Sequence, residues 1–277
     1  MKSKPRTQAQ VGVSADGEKW FLVGASPDLR LQIEATPALF PRHETRGSPI
    51  AGVVLLSAEL DHVLGLLSLR ERHPLRVYST SSVRQLTEDN AFFRMLKRDL
   101  GQCEWTDLEP GYKIGLQDSV GQESGLTIFP VTVGQRFPFY AGAERRIALN
   151  PAEAVMGLLL EGPSQRRMFY APGLPQVTPE LLEIFRSCDL LLLDGTFWSD
   201  DELARTTGQG AAAHEMGHLP VGGSSGLIAQ LSGLRGPRKV LTHINNTSPI
   251  LDGDGAEHRE VAAAGWEIAE DGWEWEL

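Results

Sequence analysis

The chain has 277 residues and 30.3 kDa, with 41% apolar and 22% charged residues, which allows one or two well-buried domains and argues against a disordered or fibrous protein. Its 36 acidic and 26 basic residues give a net charge of −10, the wrong sign for binding nucleic-acid phosphates. Two cysteines, Cys103 and Cys188, fit a reduced compartment, and no apolar stretch approaches the ~18 residues of a membrane span, so we expect a cytoplasmic protein with neither nucleic-acid nor membrane partners.

Short apolar runs alternate with turn and cap residues in the first half of the chain, which predicts alternating strands and helices. The predicted elements are a hairpin of strands 11–13 and 20–23, a short helix after Ser26-Pro27-Asp28, a strand over 50–56, a helix capped by Asp61, a strand over 76–78, helices from about 82 and over 92–100, and strands over 103–108 and 126–133.

The second half continues the same alternation. The predicted elements are strands over 155–161 and 167–170, a helix capped by Thr178 with Pro179 at its first position, a buried strand over 190–193, a Gly/Ala/Ser-rich candidate active-site loop over 208–225, a helix over 227–234, a strand over 240–243, a helix over 256–264 and a strand from Trp266. Mixed strands and helices without long linkers predict one α/β domain over residues 1–277.

Three predicted core strands are each followed by side chains that can bind a ligand. Asp61 and His62 follow the first of them, Asp194 the second, and His243 ends the third. Because ligands collect at the carboxyl ends of strands in α/β sheets, we expect these residues to meet in one pocket. The alternatives are a helix cap for Asp61 and hydrogen-bonded core histidines for His62 and His243.

Two histidines and one carboxylate are the minimum set for a single metal ion with open coordination positions. This combination suits iron(II) in oxygen chemistry and also accommodates zinc. Asp61, His62 and His243 are the best set, and Asp194 is either a fourth ligand or an outer partner that orients a histidine.

Two short stretches match hydrolase motifs literally. His214 to His218 matches the HExxH pattern of zinc proteases, whose spacing puts both histidines on one helical face, but Gly217 and its neighbours argue against a long helix.

Gly222 to Gly226 matches Gly-x-Ser-x-Gly around Ser224, but no core strand precedes it, so a flexible loop is the favoured interpretation.

One segment combines cations with aromatic rings. It either lines a substrate path or is an ordinary mobile loop, and its residues are Arg136, Phe137, Phe139, Tyr140, Arg145 and Arg146.

Seven sequence blocks in order resemble those of coenzyme PQQ (pyrroloquinoline quinone) biosynthesis B proteins, within the metallo-β-lactamase-fold superfamily. They span nearly the whole chain and are Pro5-Arg6-Thr7-Gln8, Ala25-Ser26-Pro27-Asp28-Leu29-Arg30, Asp61-His62 with Gly65-Leu66, Phe169-Tyr170-Ala171-Pro172-Gly173-Leu174, Leu193-Asp194-Gly195-Thr196-Phe197-Trp198, Glu215-Met216-Gly217-His218-Leu219, and His243-Ile244-Asn245-Asn246-Thr247-Ser248-Pro249-Ile250-Leu251.

The resemblance implies an α/β fold, the four-layer αββα sandwich of the metallo-β-lactamase type. Against the hydrolase HxHxDH pattern, the first two histidines fall on Ser57 and Glu59, the usual third near Val133, and the bridging aspartate near Gly173. A dinuclear hydrolase site is therefore not expected. Similar proteins usually begin with a Cys-rich zinc-binding loop, and we expect this chain to lack it.

The family is associated with PQQ production. The implied function is that of an iron-dependent hydroxylase, which acts on a small PQQ precursor derived from tyrosine and glutamate. The alternatives are a non-catalytic carrier of PQQ or its precursor and a hydrolase of the metallo-β-lactamase fold. A homodimer is possible as the oligomeric state. We expect one metal ion, iron(II) or zinc. The predicted catalytic residues are Asp61, His62, Glu59 and Asp194, and the predicted metal ligands are Asp61, His62 and His243, with Asp194 and His218 close by.

Overall fold

The computed structural model describes residues 3–41, 47–69, 73–97 and 101–276. These residues form two compact units. Unit 1 comprises residues 3–6, 157–159 and 166–276, and unit 2 comprises the described residues of 7–156 and 160–165. Within the described ranges, no helix has the length and apolar character needed to cross a bilayer.

Unit 2 contains a five-stranded sheet in the order β1-β2-β3-β4-β5. Its strands are β1 (Val11–Val13), β2 (Trp20–Val23), β3 (Ile50–Val54), β4 (Leu75–Ser79) and β5 (Cys103–Asp107). The first two strands pair antiparallel, as the predicted hairpin requires, and the remaining neighbours pair parallel. Nearly all of β3 is buried, which explains its continuous apolar sequence.

The helices of unit 2 are short. They are α1 (Leu29–Ala35), α2 (Leu60–Val63), α3 (Ser81–Asp89), α4 (Ala143–Ile147), and 3-10 helices over Pro37–Leu39, Leu64–Leu69, Ala91–Lys97, Phe139–Ala141 and Pro151–Glu153. The predicted helix over 92–100 corresponds to the 3-10 helix Ala91–Lys97, and residues 98–100 lie outside the described residues. Packed between these helices and the sheet is a core that includes Leu22, Leu55, Val63 and Leu66.

Asp61 does not cap the helix that contains it, so that prediction is wrong. The helix α2 begins at Leu60, and Glu59 takes the N-cap position in extended backbone conformation. Asp61 therefore lies inside the first turn, where an acidic side chain is favoured by the helix dipole.

A long hairpin and part of a further strand complete unit 2. The strands are β6 (Ile114–Gln117), β7 (Glu123–Gly134) and β8 (Val155–Glu161), which are adjacent in the order β8-β7-β6. Strands β6 and β7 pair antiparallel, with a register shift between Gly115 and Gln117. The strand β6 was not predicted, because a four-residue strand that contains a glycine shows too little alternation of apolar and polar residues.

Unit 1 is built on parallel strands. They are β9 (Arg167–Ala171), β10 (Leu190–Asp194), β11 (Arg238–Thr242) and β12 (Trp266–Ile268), in the order β12-β11-β10-β9-β8, where residues 157–159 of β8 belong to this unit. All five residues of β10 are buried, as a strand covered on both faces requires. Its register places Asp194 opposite Thr242, so the predicted site residues that follow β10 and β11 come from adjacent strand ends.

The helices of unit 1 are α5 (Pro179–Arg186), α6 (Glu202–Thr207), α7 (Ala213–Met216), α8 (Leu227–Gln230) and α9 (Ala256–Ala263). Thr178 caps α5 by accepting a hydrogen bond from the Leu181 amide at 3.2 Å, as its sequence predicts. The segment 208–225 is largely irregular but contains α7, and the helix predicted over 227–234 ends four residues early.

Both cysteine thiols are shielded. Burial raises the pKa of Cys103 and of Cys188 to about 12 in each case. Because only the thiolate is nucleophilic, we expect the native protein at pH 8 to react with a disulfide reagent far more slowly than a free thiol, whose pKa is about 8.5. Two thiols per chain should react promptly in denaturant. Fast stoichiometric labelling of the native protein would contradict the buried positions.

Candidate metal centre

Unit 1 gathers Asp194, His218 and His243 at the carboxyl ends of β10 and β11. Their candidate ligand atoms all lie within 4.8 Å of one another. Asp194 ends β10 and is 1% exposed, and His243 directly follows β11. The backbone of His243 has a φ of 54°, a left-handed conformation that non-glycine residues rarely adopt and that is enriched at functional sites. Two of the predicted strand-end residues, Asp194 and His243, therefore lie together within this unit.

The Asp194 carboxylate is saturated with hydrogen bonds. Its Oδ2 accepts from the Leu174 amide at 2.9 Å and lies 2.6 Å from His218 Nδ1. Its Oδ1 accepts from both the amide (3.0 Å) and the hydroxyl (2.5 Å) of Thr196. Two carboxylate oxygens offer about four acceptor positions, and all four are in use. This arrangement suits a residue that orients ligands better than one that binds a metal directly.

The charge state of Asp194 follows from the same contacts. Burial would raise the pKa of this carboxyl, but the charge and hydrogen bond of His218, together with His243, outweigh burial and hold the pKa well below its usual range. Asp194 is therefore an anion at neutral pH, and it can accept a ring proton from a neighbouring imidazole.

Thr196 links the carboxylate to His243. The Thr196 hydroxyl has a single proton, which it donates to Asp194 Oδ1 over the short distance of 2.5 Å. The Thr196 oxygen can therefore accept a hydrogen bond from His243 Nδ1, which lies 2.8 Å away. This direction of hydrogen bonding places the imidazole lone pair on Nε2, the tautomer that a metal ligand needs.

His218 is oriented by Asp194 itself. With its Nδ1 proton donated to the carboxylate, His218 also presents an Nε2 lone pair. Its ring stacks on that of His243 with centroids 5.6 Å apart and 20° between the planes. The planes of the two imidazoles are therefore nearly parallel.

The HExxH match does not form a zinc-protease helix. The helix α7 ends at Met216, and Gly217 follows it with a left-handed φ of 89°. His214 consequently points elsewhere, and its Nδ1 lies 2.8 Å from Asp200 Oδ2 at an exposed position. The two histidines do not share a helical face, as the argument against a long helix predicted, because the glycine turns the chain between them.

Unit 2 holds the other two predicted ligands. His62 is 7% exposed, and its Nδ1 lies 2.7 Å from the Ser57 hydroxyl oxygen. Its Nε2 lies 3.8 Å from Asp61 Oδ2. Ser57 also accepts the Glu59 amide at 3.2 Å. Ser57 therefore fixes the ring of His62 through Nδ1, and Nε2 faces the neighbouring carboxylate.

A close backbone contact anchors this loop. The Ala25 amide donates to the His62 carbonyl and the Gly65 amide donates to the Ala25 carbonyl, each at 2.8 Å. An added Cβ at Gly65 would lie 2.2 Å from the Ser26 carbonyl oxygen. Only glycine allows this approach, so the Gly65 of the sequence block helps to set the position of His62.

Glu59 and Tyr140 flank the same loop. The Glu59 side chain is exposed, and its role stays a prediction. The Tyr140 hydroxyl donates to the Ala58 carbonyl at 2.5 Å. Burial, helped by the negative charge of Glu59, raises the pKa of Tyr140 to about 12, so this phenol remains a donor at any ordinary pH.

The hydroxyls of Ser57 and Thr196 were not predicted as site residues. Ser57 and Thr196 each orient one predicted histidine ligand, yet a lone hydroxyl after a strand carries no distinctive pattern. Ser57 had one signal, because it occupies a hydrolase histidine position in the resemblance. Ser224 is exposed in an irregular loop, as the flexible-loop interpretation of its motif predicts.

Comparison with known proteins decides the family. The Beta-lactamase superfamily domain model matches residues 19–244. Coenzyme PQQ synthesis protein B of Gluconacetobacter diazotrophicus is 40% identical over 269 residues, which cover 96% of this chain and 86% of that protein. The same protein of Stutzerimonas stutzeri is 42% identical over 274 residues, covering 98% and 88%. This chain belongs to the coenzyme PQQ synthesis protein B family.

A solved member of the coenzyme PQQ synthesis protein B family supports the fold and a metal. The crystal structure of Zn(2+)-bound PqqB from Methylobacterium extorquens matches with a TM-score of 0.90 and 34% identity, covering 99% of this chain and 89% of that one. The predicted family and fold class, a metallo-β-lactamase fold with mixed α/β sheets, are therefore confirmed. Metal binding is supported, whereas zinc and iron are both consistent with imidazole and carboxylate donors.

Proposed function

We propose that this chain binds one metal ion through Asp61, His62 and His243 and hydroxylates a tyrosine-derived precursor of PQQ. The single observation that carries the proposal is that each histidine has its Nδ1 engaged by a hydroxyl oxygen, from Ser57 for His62 and from Thr196 for His243. Such outer contacts fix the tautomer and ring orientation of metal-binding histidines.

The donor set fits iron(II) or zinc. Asp61, His62 and His243 would hold the ion, and iron(II) bound by two imidazoles and one carboxylate would supply oxygen chemistry for hydroxylation. Asp194 is assigned to the outer position because its oxygens are already saturated by Leu174, Thr196 and His218. His218 is placed close to the ion, with its Nε2 as the available donor.

The protein residues have separate tasks in this proposal. Asp194 and Thr196 keep both unit 1 imidazoles in the required tautomer and hold the nearby protons on Nδ1. Ser57 does the same for His62. Glu59, which is exposed and lies two residues before Asp61 in the chain, accepts the phenolic proton of the substrate. The substrate is a small molecule derived from tyrosine and glutamate.

Hydrolysis is the less favoured chemistry. A two-metal site clamps both oxygens of a displacement, and the second ion needs ligands where this chain has Ser57 and Glu59. The Ser57 hydroxyl is already occupied by the ring of His62 and the amide of Glu59. We therefore expect no robust turnover of a bis-aryl phosphate with added zinc or manganese.

Metal content tests the ligands. Anaerobically purified protein should contain about one iron or zinc per chain, as a single three-ligand site requires. We expect that metal to be lost in the His62→Ala, His243→Ala double variant, measured by elemental analysis of folded protein. His214→Ala is the matched control, because His214 pairs with the exposed Asp200 outside the cluster. Unchanged metal in the double variant would rule the site out.

Oxygen incorporation tests the reaction. Protein reconstituted anaerobically with iron(II) is exposed to oxygen together with a tyrosine-containing dipeptide-like substrate and a two-electron reductant such as ascorbate. One oxygen atom should enter the aromatic ring while the other leaves as water, so mass spectrometry should find a product heavier by one oxygen atom. Asp61→Ala should abolish it, since the site would lose its only carboxylate ligand. Undiminished product in that variant would refute the assignment. A carrier would instead be favoured if PQQ bound tightly without metal and the iron-loaded protein also consumed no oxygen with tyrosine-derived substrates.

A further inference from the structure

Residues 139–147 of unit 2 expose large apolar side chains beside arginines. Phe139 is 88% exposed and Ile147 is 84% exposed. Single exposed apolar residues are ordinary on a protein surface, so exposure alone carries no argument. The arrangement of the neighbouring charges is what distinguishes this segment.

The two consecutive arginines of the segment differ in how their charge is used. Arg145 is neutralised, because its Nη2 lies 2.7 Å from Asp89 Oδ2. The guanidinium carbon of Arg146 lies 5.4 Å from the centroid of the Phe139 ring, and its Nε donates to the Gly142 carbonyl at 3.2 Å. Among the residues that the structure describes, no carboxylate forms an ion pair with Arg146. Arg146 is therefore held in place while its charge is not compensated.

The segment is tied to the loop that carries two predicted ligands. The Tyr140 hydroxyl donates to the Ala58 carbonyl at 2.5 Å, and Ala58 immediately precedes Glu59. Phe139 and Arg146 are thus fixed within unit 2 relative to Asp61 and His62. A cation and an aromatic face on a segment that contacts this loop can bind an anionic aromatic molecule.

We propose that Arg146 and Phe139 form the recognition site for the substrate, an aromatic molecule that carries carboxylates. Arg146 pairs with a carboxylate, and the open face of Phe139 stacks on the ring of the ligand. In a chain of net charge −10, an anion needs such a local, uncompensated cation. The identity of this ligand as the hydroxylation substrate rests on the proposed function, whereas the recognition chemistry does not.

Equilibrium binding of PQQ to the full-length, metal-free protein tests the site, with calorimetry as the measurement. PQQ is the probe because it is aromatic and carries several carboxylates. We expect Arg146→Gln to weaken binding about tenfold, the loss of one charge-assisted hydrogen bond at a partly exposed position, and to reduce its salt dependence. Phe139→Ala should weaken binding about fivefold, the loss of one ring contact.

Matched variants separate recognition from general effects. Arg145→Gln removes an adjacent arginine that is already paired with Asp89, so its affinity should stay within about twofold of the unchanged protein. Arg146→Lys should retain part of the affinity that Arg146→Gln loses, because lysine keeps the positive charge but lacks the planar guanidinium group. Quinoline is an aromatic probe without carboxylates, and its affinity should be the same for Arg146→Gln and for the unchanged protein.

The outcomes are distinct from those of the hydroxylation test, since this measurement uses neither metal nor oxygen. Equal affinities in Arg146→Gln, Arg145→Gln and the unchanged protein would overturn the recognition site and leave the hydroxylase proposal standing. Absence of PQQ binding to the unchanged protein would also overturn it. Selective loss in Arg146→Gln and Phe139→Ala would support the site, even if no hydroxylated product forms.

Discussion

Replacing Asp194 with asparagine should destabilise unit 1 and impair metal binding together. An amide NH2 cannot accept both protons that Oδ2 now receives, so the buried Leu174 amide or His218 Nδ1 loses its acceptor. We expect the free energy of unfolding to fall by about 2–4 kcal/mol, the cost of an unsatisfied buried donor plus a lost charged hydrogen bond. Metal affinity should fall about 10–100-fold, as for other outer partners of histidine ligands.

Asp200→Asn is the matched control for this variant. Asp200 also pairs with a histidine, His214, but the two side chains are 47% and 66% exposed. Because exposed ion pairs contribute little, we expect a change within about 1 kcal/mol and no loss of metal. Denaturant unfolding of the metal-free proteins and metal titration of the folded ones measure the two effects. Equal behaviour of the two variants would mean that Asp194 has no special role.

The acid dependence of stability has a definite sign. The folded-state pKa of Asp194 lies below that of the unfolded chain, which is about 3.9 for an aspartate. Stabilisation by this carboxylate is therefore complete above the unfolded pKa and is lost as the pH falls towards the folded pKa. We expect the metal-free protein to lose stability below about pH 5, with a shallower slope in Asp194→Asn. Identical slopes would contradict the assigned ionisation of Asp194.

The sequence predicted the strands that position the centre. The continuous apolar run of Leu190 to Leu193 needs burial on both faces, and a polar residue directly after such a run must lie at the sheet edge. Adjacent parallel strands then bring Asp194 and His243 to neighbouring positions. Local pattern and chain order were sufficient for this part of the structure.

The roles of the gathered residues were not predictable in the same way. Whether Asp194 binds a metal or orients a histidine depends on which donors reach its oxygens, and the Leu174 amide comes from twenty residues away. His214 and His218 separate because Gly217 takes a left-handed conformation, which spacing alone does not reveal. Hydrogen-bond direction and backbone handedness are properties of the folded chain.

Gly65→Ala, which adds one methyl group, should strongly lower the free energy of unfolding of unit 2. The added Cβ would lie 2.2 Å from the Ser26 carbonyl oxygen and 2.8 Å from both the Ala25 carbonyl carbon and oxygen. All three neighbours are backbone atoms, and Ala25 itself bonds to His62 and Gly65, so relief requires the ligand-bearing loop to move. We expect a loss of about 3 kcal/mol or more in the free energy of unfolding, at the upper end of the cost of overpacking.

The matched control for this glycine is Gly233→Ala. An added Cβ at Gly233 meets no atom within 4 Å, so its stability should change by no more than about 0.5–1 kcal/mol. Denaturant unfolding compares the two variants directly, and metal titration of folded Gly65→Ala reports whether His62 has moved. Because a displaced His62 carbonyl also moves its ring away from Ser57, we expect weaker metal binding in the fraction that folds. A Gly65→Ala protein as stable as Gly233→Ala, with unchanged metal affinity, would show that this close approach does not position the ligand.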